Sequence, residues 1–248
     1  MQKILGGFKM SMNKVEKYSY AQINTVEEVE IINTSIDRNK IKNIITKIVK
    51  RTIDIIASLI GLIMLIPLTI IIWIVNKVNK EDGPIFYSHI RIGKNGKPFK
   101  LHKFRTMCVD ADEKLKKLLE NDEKLKKEWE ENRKLNNDPR ITKIGKFLRA
   151  TSIDEIPNFI AVFVGNMSLV GPRAVIPDEL EMFGQYKEKI LKVKPGITGF
   201  WAANGRSNTS YEERAKMEAY YAENNSILLD IKIIFKTIIS VIKRDGAV

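Results

Sequence analysis

One cysteine and two histidines are the scarcest chemistry in this 248-residue chain, and their scarcity excludes a good deal. Cys108 alone forms no internal disulfide framework and suits a reducing compartment, and one thiol with two imidazoles cannot build the usual zinc site. Any metal must therefore be held by oxygen. A cleaved leader is lacking as well: about 50 mostly polar residues precede the apolar run and no small-residue cleavage pattern stands before it, so the N-terminus is expected to be kept. Buried strands do not alternate with helices, which argues against a doubly wound sheet. The hexamer DEKLKK recurs only twice, at Asp112 and Asp122, too few copies for a solenoid. Negative charge is the minority sign: 30 Asp and Glu stand against 42 Lys and Arg, a formal net charge of +12. That excess attracts phosphate groups, nucleic acid or an anionic membrane surface. No aromatic-rich nucleic-acid motif accompanies it, so no nucleic-acid partner is expected.

What the chain does have is one long apolar run. Ile55 to Val75 are 21 residues without a charge, about long enough as a helix to cross the ~30 Å hydrocarbon core. Lys47, Lys50 and Arg51 precede the run and Lys77 and Lys80 follow it, so basic residues mark the cytoplasmic side at both ends. Pro67 interrupts the hydrogen-bond ladder, and Gly61 and Ser58 loosen the turn before it, which predicts a kink. A bent helix that leaves on the face it entered and a straight span with a tolerated proline both remain open on these residues. Asp54, at the head of the run, is expected to pair with Lys50 or Arg51.

Downstream, Gly83-Pro84 and the turn residues Gly93 to Pro98 bracket short β-like pieces, Ile85 to Tyr87 and Phe99 to Lys103, which predicts a small hairpin. Asp110 to Leu135 reads as one charged helix with a thin apolar stripe, its charges a solvated face. Ser226 to Arg244 carries apolar residues at helical spacing with lysines elsewhere, a basic amphipathic helix that packs on a core or lies in an anionic bilayer surface. Before the run, Val26 to Ile32 reads as a short strand or as nothing regular.

The densest chemistry runs from Asp138 to Arg206. Arg140, Lys143, Lys146 and Arg149 precede the acidic pair Asp154-Glu155, and Ser152-Ile153-Asp154-Glu155 has the pattern of a capping box, in which the serine caps an orphan amide and the glutamate reaches back. That bland account of the pair is sound, because acids suit a first helical turn. The functional account rests on the neighbours: Arg173 follows a Gly-Pro turn in GNMSLVGPR, and Lys194 and Arg206 flank three glycines in VKPGITGFWAANGRS. Turns that expose backbone, set beside arginines, are a composition that holds phosphate.

In order along the chain stand KRTIDIIASLIGLIMLIP, GPIFYSHIRIGKNGKPFKLHKFRTM, DPRITKIGKFLRATSIDEIP, GNMSLVGPR, VKPGITG, NGRS, YY and SILLDIKIIFKTI. Over roughly Lys50 to Arg244 this series resembles the monotopic phosphoglycosyl transferases, the bacterial sugar transferases that start glycan assembly on undecaprenyl phosphate. The resemblance implies a mostly helical α/β fold in the loose sense. It would comprise a polar extension over 1–45, a re-entrant membrane helix hairpin over 46–80 kinked at Pro67, and a cytoplasmic core over 81–248 with a small β-hairpin and interfacial amphipathic helices. It implies a location at the bacterial inner membrane, with UDP-sugar, polyprenyl phosphate and anionic lipid as partners; homo-oligomerisation is left open. It implies that Asp154 attacks the β-phosphorus of the UDP-sugar, that Glu155 completes the dyad, and that Mg2+ is held with Asp154 as its ligand. Arg149 and Arg173 are the implied diphosphate contacts, with Lys103 and Arg105 of KFRTM, Arg206 and Glu218 as further substrate-binding residues. Adjacent helical residues point about 100° apart, so Asp154 and Glu155 need not share a proton.

The chain departs from that pattern at Ala174 after GPR, where proline is usual, and at Asn158 and Ala202, where glutamine is usual. Glu218 stands where aspartate is commoner. These departures bear on the choice of sugar and on the nucleotide contacts and leave the dyad, Arg149 and Arg173 in place. The competing class is a non-catalytic basic module on the membrane surface, for which Asp154 would be dispensable. A multi-span transferase without a covalent intermediate is excluded by the single apolar run.

Overall fold

The structure is a computed structural model that describes residues 26–132, 135–205 and 209–243. The described part is mostly helical with two small two-stranded sheets. Two compact units divide at Val49 and Lys50. The first contains the opening part of helix α1 (Val26–Val78), so Val26 to Ile32 is helix and not strand. The polar extension before Val26 lies outside the described residues. The core and the site described below belong to the second unit, Lys50–Val248.

Among the described residues one helix is long and apolar enough to cross a membrane, Lys40–Val78. Helical geometry continues through Pro67, which is exposed. The protein-facing residues of α1 are Asp54, Ser58, Gly61, Leu65, Leu68 and Ile72, spaced alternately by four and three, the stripe by which one helix lies along a neighbour. Gly61 is required in that stripe because a Cβ there would stand 2.3 Å from the Phe159 ring. Farther along, Ile72 is buried with Phe104 and Leu148, and Leu65 and Leu68 pack against the same cluster. The opposite face, including Ile56, Ile60, Ile63, Ile70 and Trp73, is exposed.

The head of the stripe is fastened by polar groups. Asp54 accepts from Ser168 Oγ at 3.0 Å and from the Leu169 amide at 2.8 Å, so it does not pair with Lys50 or Arg51. Arg51 donates to Val162 O and Phe163 O, both at 2.7 Å. Lys50 reaches Val170 O, the Tyr221 hydroxyl and Asp230. Two of the cations before the apolar run are thus bound into the core.

Strands β1 (Phe86–Ile92) and β2 (Pro98–Phe104) form the expected antiparallel hairpin, in register from Phe86 opposite Phe104 to Ile92 opposite Pro98. Directly opposed residues share a face, so Arg91 lies beside Phe99 and Tyr87 beside Lys103. Phe99 and Leu101 bury that face against Ala161, Val162, Met167 and Ala174. The charged segment is two helices, α2 (Ala111–Asn121) and α3 (Glu123–Asn132), where one was expected. Asp122 breaks it: its extended backbone ends α2 and its carboxylate accepts from the Lys124 and Leu125 amides, which caps α3.

Helix α4 (Lys143–Ala150) leads into a 3-10 helix, Ile153–Asn158, and then helix α5 (Phe159–Phe163). Strands β3 (Ser168–Val170) and β4 (Gly196–Thr198) pair in parallel. Here backbone packs on backbone, since a Cβ on Gly196 would meet the Gly171 amide at 2.1 Å. Helices α6 (Pro177–Leu180), α7 (Lys187–Ile190) and α8 (Phe200–Asn204) are short connectors. Helix α9 (Tyr211–Asn224) opens with a true capping box between Ser210 and Glu213. Helix α10 (Ile227–Lys243) is the expected amphipathic element. Ile233 packs with Val170 and Tyr221, while Leu228, Phe235, Ile238 and Ile239 are exposed.

Candidate active site

The site forms where the hairpin rim, the 3-10 helix after α4 and the paired glycine turns converge. An open cavity of about 500 Å³, mouth included, is lined among others by Arg91, Lys103, Glu155, Asn158, Arg173 and Glu218. The approach of Ser152 to the dyad is strained: its φ is 57° and its side chain caps nothing. The capping box expected at Ser152 and Glu155 is therefore not formed. Glu155 is taken instead by Lys103, whose Nζ lies 2.5 Å from Oε1 and 3.9 Å from Asp154 Oδ2. One ammonium serves both carboxylates.

The two acids are driven in opposite directions. Burial raises Asp154 to about 6; the charges of Lys103 and Arg149 oppose this and that of Glu155 adds to it. Burial also acts to raise Glu155, but Lys103, Arg173 and Arg91 outweigh it and hold its carboxyl below the usual range. Such a split between neighbouring carboxylates assigns different protonation work to each. Arg149 stands behind Asp154, its Nε donating to Thr106 Oγ1 at 3.0 Å. The Asp138–Arg140 ion pair, almost fully buried, lies behind Arg149.

Glu218 is buried, accepts the Arg173 amide at 2.9 Å and is raised by burial to about 7. Of the residues expected from sequence, Lys103, Glu155, Arg173 and Glu218 line the cavity, with Asp154 beside Lys103. Arg149 does not line it. Arg105 is not brought there either: its guanidinium donates to Pro84 O at 2.7 Å and Met107 O at 3.3 Å. Arg206 lies outside the described residues, and Pro67 is on α1 away from the dyad.

Sequence reasoning passed over Arg91, whose signal was its period-two position on the hairpin face that carries Lys103. It also passed over Arg214, buried with its guanidinium 4.6 Å from the Trp201 ring and 5.2 Å from that of Phe183. No group of three or more His, Cys, Asp or Glu side chains stands together as a metal cage among the described residues. The dyad offers carboxylate oxygens only, the donor type of a hard divalent cation whose other ligands are phosphate and water.

Buried Asp154 and partly buried Glu155, answered by Lys103, stand at an open cavity that Glu155 and Lys103 line, and the apolar helix α1 carries an exposed apolar face. The profile of the bacterial sugar transferases matches residues 45–244, and the chain belongs to that family. It is 43% identical over 202 residues to the undecaprenyl-phosphate galactose phosphotransferase of Salmonella typhimurium, covering 82% of this chain and 42% of that one. It is 42% identical to the UDP-galactose-lipid carrier transferase of Erwinia amylovora, over 89% and 45% of the two chains. With the exopolysaccharide production protein ExoY of Sinorhizobium fredii it shares 40% identity over 80% and 87%. The chain thus spans less than half the length of the first two relatives and most of the third.

Proposed function

We propose that the protein transfers a sugar 1-phosphate from a UDP-sugar to a polyprenyl phosphate at the cytoplasmic face of the bacterial inner membrane. The observation that carries this is the dyad: a buried aspartate raised to about 6 and ionised at neutral pH, beside a glutamate clamped by Lys103. An Asp154 oxygen attacks the β-phosphorus; the bond from that phosphorus to the bridging oxygen breaks and UMP leaves with the oxygen and its electron pair. A phosphate oxygen of the lipid then attacks the same phosphorus and frees the Asp154 carboxylate. Lys103 and Arg173 offset the repulsion between an anionic nucleophile and an anionic diphosphate. Asp154 and Glu155 would hold Mg2+ together with donor phosphate oxygens, and the ion would supply further neutralising charge.

The membrane arrangement has its own support. The stripe from Asp54 to Ile72 lies along the core over 19 residues, about 27 Å of helix, which leaves little free length to cross a bilayer while the core stays in water. Its exposed apolar face and that of α10 suit a single leaflet, α10 with its lysines against anionic lipid. That packing supports the re-entrant reading. The test is UMP release by detergent-purified protein with undecaprenyl phosphate, magnesium and a panel of UDP-sugars. Turnover with one sugar that Asp154→Asn abolishes is expected; equal release by the variant removes Asp154 as nucleophile.

A further inference from the structure

Among the described residues, three that line the cavity carry a buried polar atom without a hydrogen-bond partner: Arg91 Nε, Asn158 Oδ1 and Glu218 Oε2. Buried polar atoms are seldom left unpaired, because each forfeits its hydration for nothing. Several on one open cavity outline the complement of what fills it.

Arg91 is the under-used cation of the site. Its Nη1 lies 3.4 Å from Ala174 O and 3.8 Å from Glu179 Oε2, both at the long limit of useful contact. The charges of Arg173 and Arg214 press upon its own, and an anion among them would relieve that pressure. A guanidinium on the same hairpin face as Lys103 has the fork geometry for a phosphate. Asn158 asks for something else. It is 2% exposed and closes the 3-10 turn that carries Asp154 and Glu155. An amide oxygen is an acceptor only, so it takes a hydrogen bond from a neutral hydroxyl and none from a phosphate oxygen.

We propose that Arg91 holds a phosphate of the donor and that Asn158 accepts a hydroxyl of its sugar. This rests on the sugar phosphate transfer argued above and adds two binding residues to it. Phosphate and hydroxyl recognition on one cavity select a phosphorylated sugar over a free nucleotide. The Asn158 contact is lost when the sugar is absent, whereas the Arg91 contact is kept.

The test compares binding of a UDP-sugar and of UDP by calorimetry, in detergent, to the full chain carrying Asp154→Asn so that no covalent step intervenes, with UMP release by the Asp154 chain and melting temperature followed in parallel. Asn158→Ala is expected to weaken the UDP-sugar about tenfold and to leave UDP within about twofold. Arg91→Gln should weaken both about tenfold or more, with part of the loss recovered in Arg91→Lys. Unchanged affinities in both variants, or an equal loss of both ligands in Asn158→Ala, overturn the inference; the latter marks a structural role, as does a fall in melting temperature without a ligand effect. Binding of the UDP-sugar with no UMP release by the Asp154 chain would sink the transfer reading while these ratios still decide the contacts. Binding of neither ligand before Arg91 or Asn158 is changed overturns both.

Discussion

Asp154 carries the largest consequence of any single residue. In the proposed reaction its carboxyl must be ionised to attack phosphorus, and burial raises it to about 6. The rate should therefore fall as pH drops through about 6, seen as the acid limb of the kcat/KM profile of the free enzyme. Lys103, 3.9 Å away, favours the charged form. Lys103→Met should move that limb to higher pH and slow UMP release by roughly a hundredfold. An unmoved limb would mean that another group sets it. The acids themselves were legible in the chain, but their partner was not: Ser152 and Glu155 fit a capping box locally, and only the fold brings Lys103, 52 residues earlier, to Glu155. Asp54 repeats the lesson, because Lys50 and Arg51 are near in sequence while Ser168 and Leu169, its actual partners, are more than 110 residues away.

Among the elements, α1 decides how the core meets its surroundings. Its apolar run was plain from sequence, as was the hairpin with its glycine turn. The stripe that divides the run into a protein face and an exposed face was hidden, because nearly every residue there is apolar and periodicity needs contrast to be read. Gly61 is the sharpest point on that stripe. Gly61→Val places a side chain into the Phe159 ring and should destabilise the protein by about 1–3 kcal/mol, whereas Ile60→Val on the exposed face should be nearly silent. Denaturant titration in detergent separates the two, and equal stability of both variants would show that α1 does not pack there. The break at Asp122 was not read from the sequence, because the DEKLKK pattern that repeats there continues the helical period across the capping aspartate.

At the scale of the whole molecule, the proposed leaflet arrangement fixes where both flanks of the run lie. Single cysteines at Lys47 and Asp82, in a Cys108→Ser background, should both be closed to a membrane-impermeant maleimide in intact spheroplasts and both open in inverted vesicles. Labelling of only one of them in spheroplasts would mark a true crossing.

The central claim is a covalent phosphosugar on Asp154, and it is tested most directly by mass spectrometry of the protein mixed with its UDP-sugar and magnesium in the absence of lipid acceptor. The account predicts one added sugar phosphate on the peptide that contains Asp154, removed when polyprenyl phosphate is supplied and missing in Asp154→Asn. Steady turnover with the adduct on another residue, or with no adduct at all under rapid quench, would contradict it.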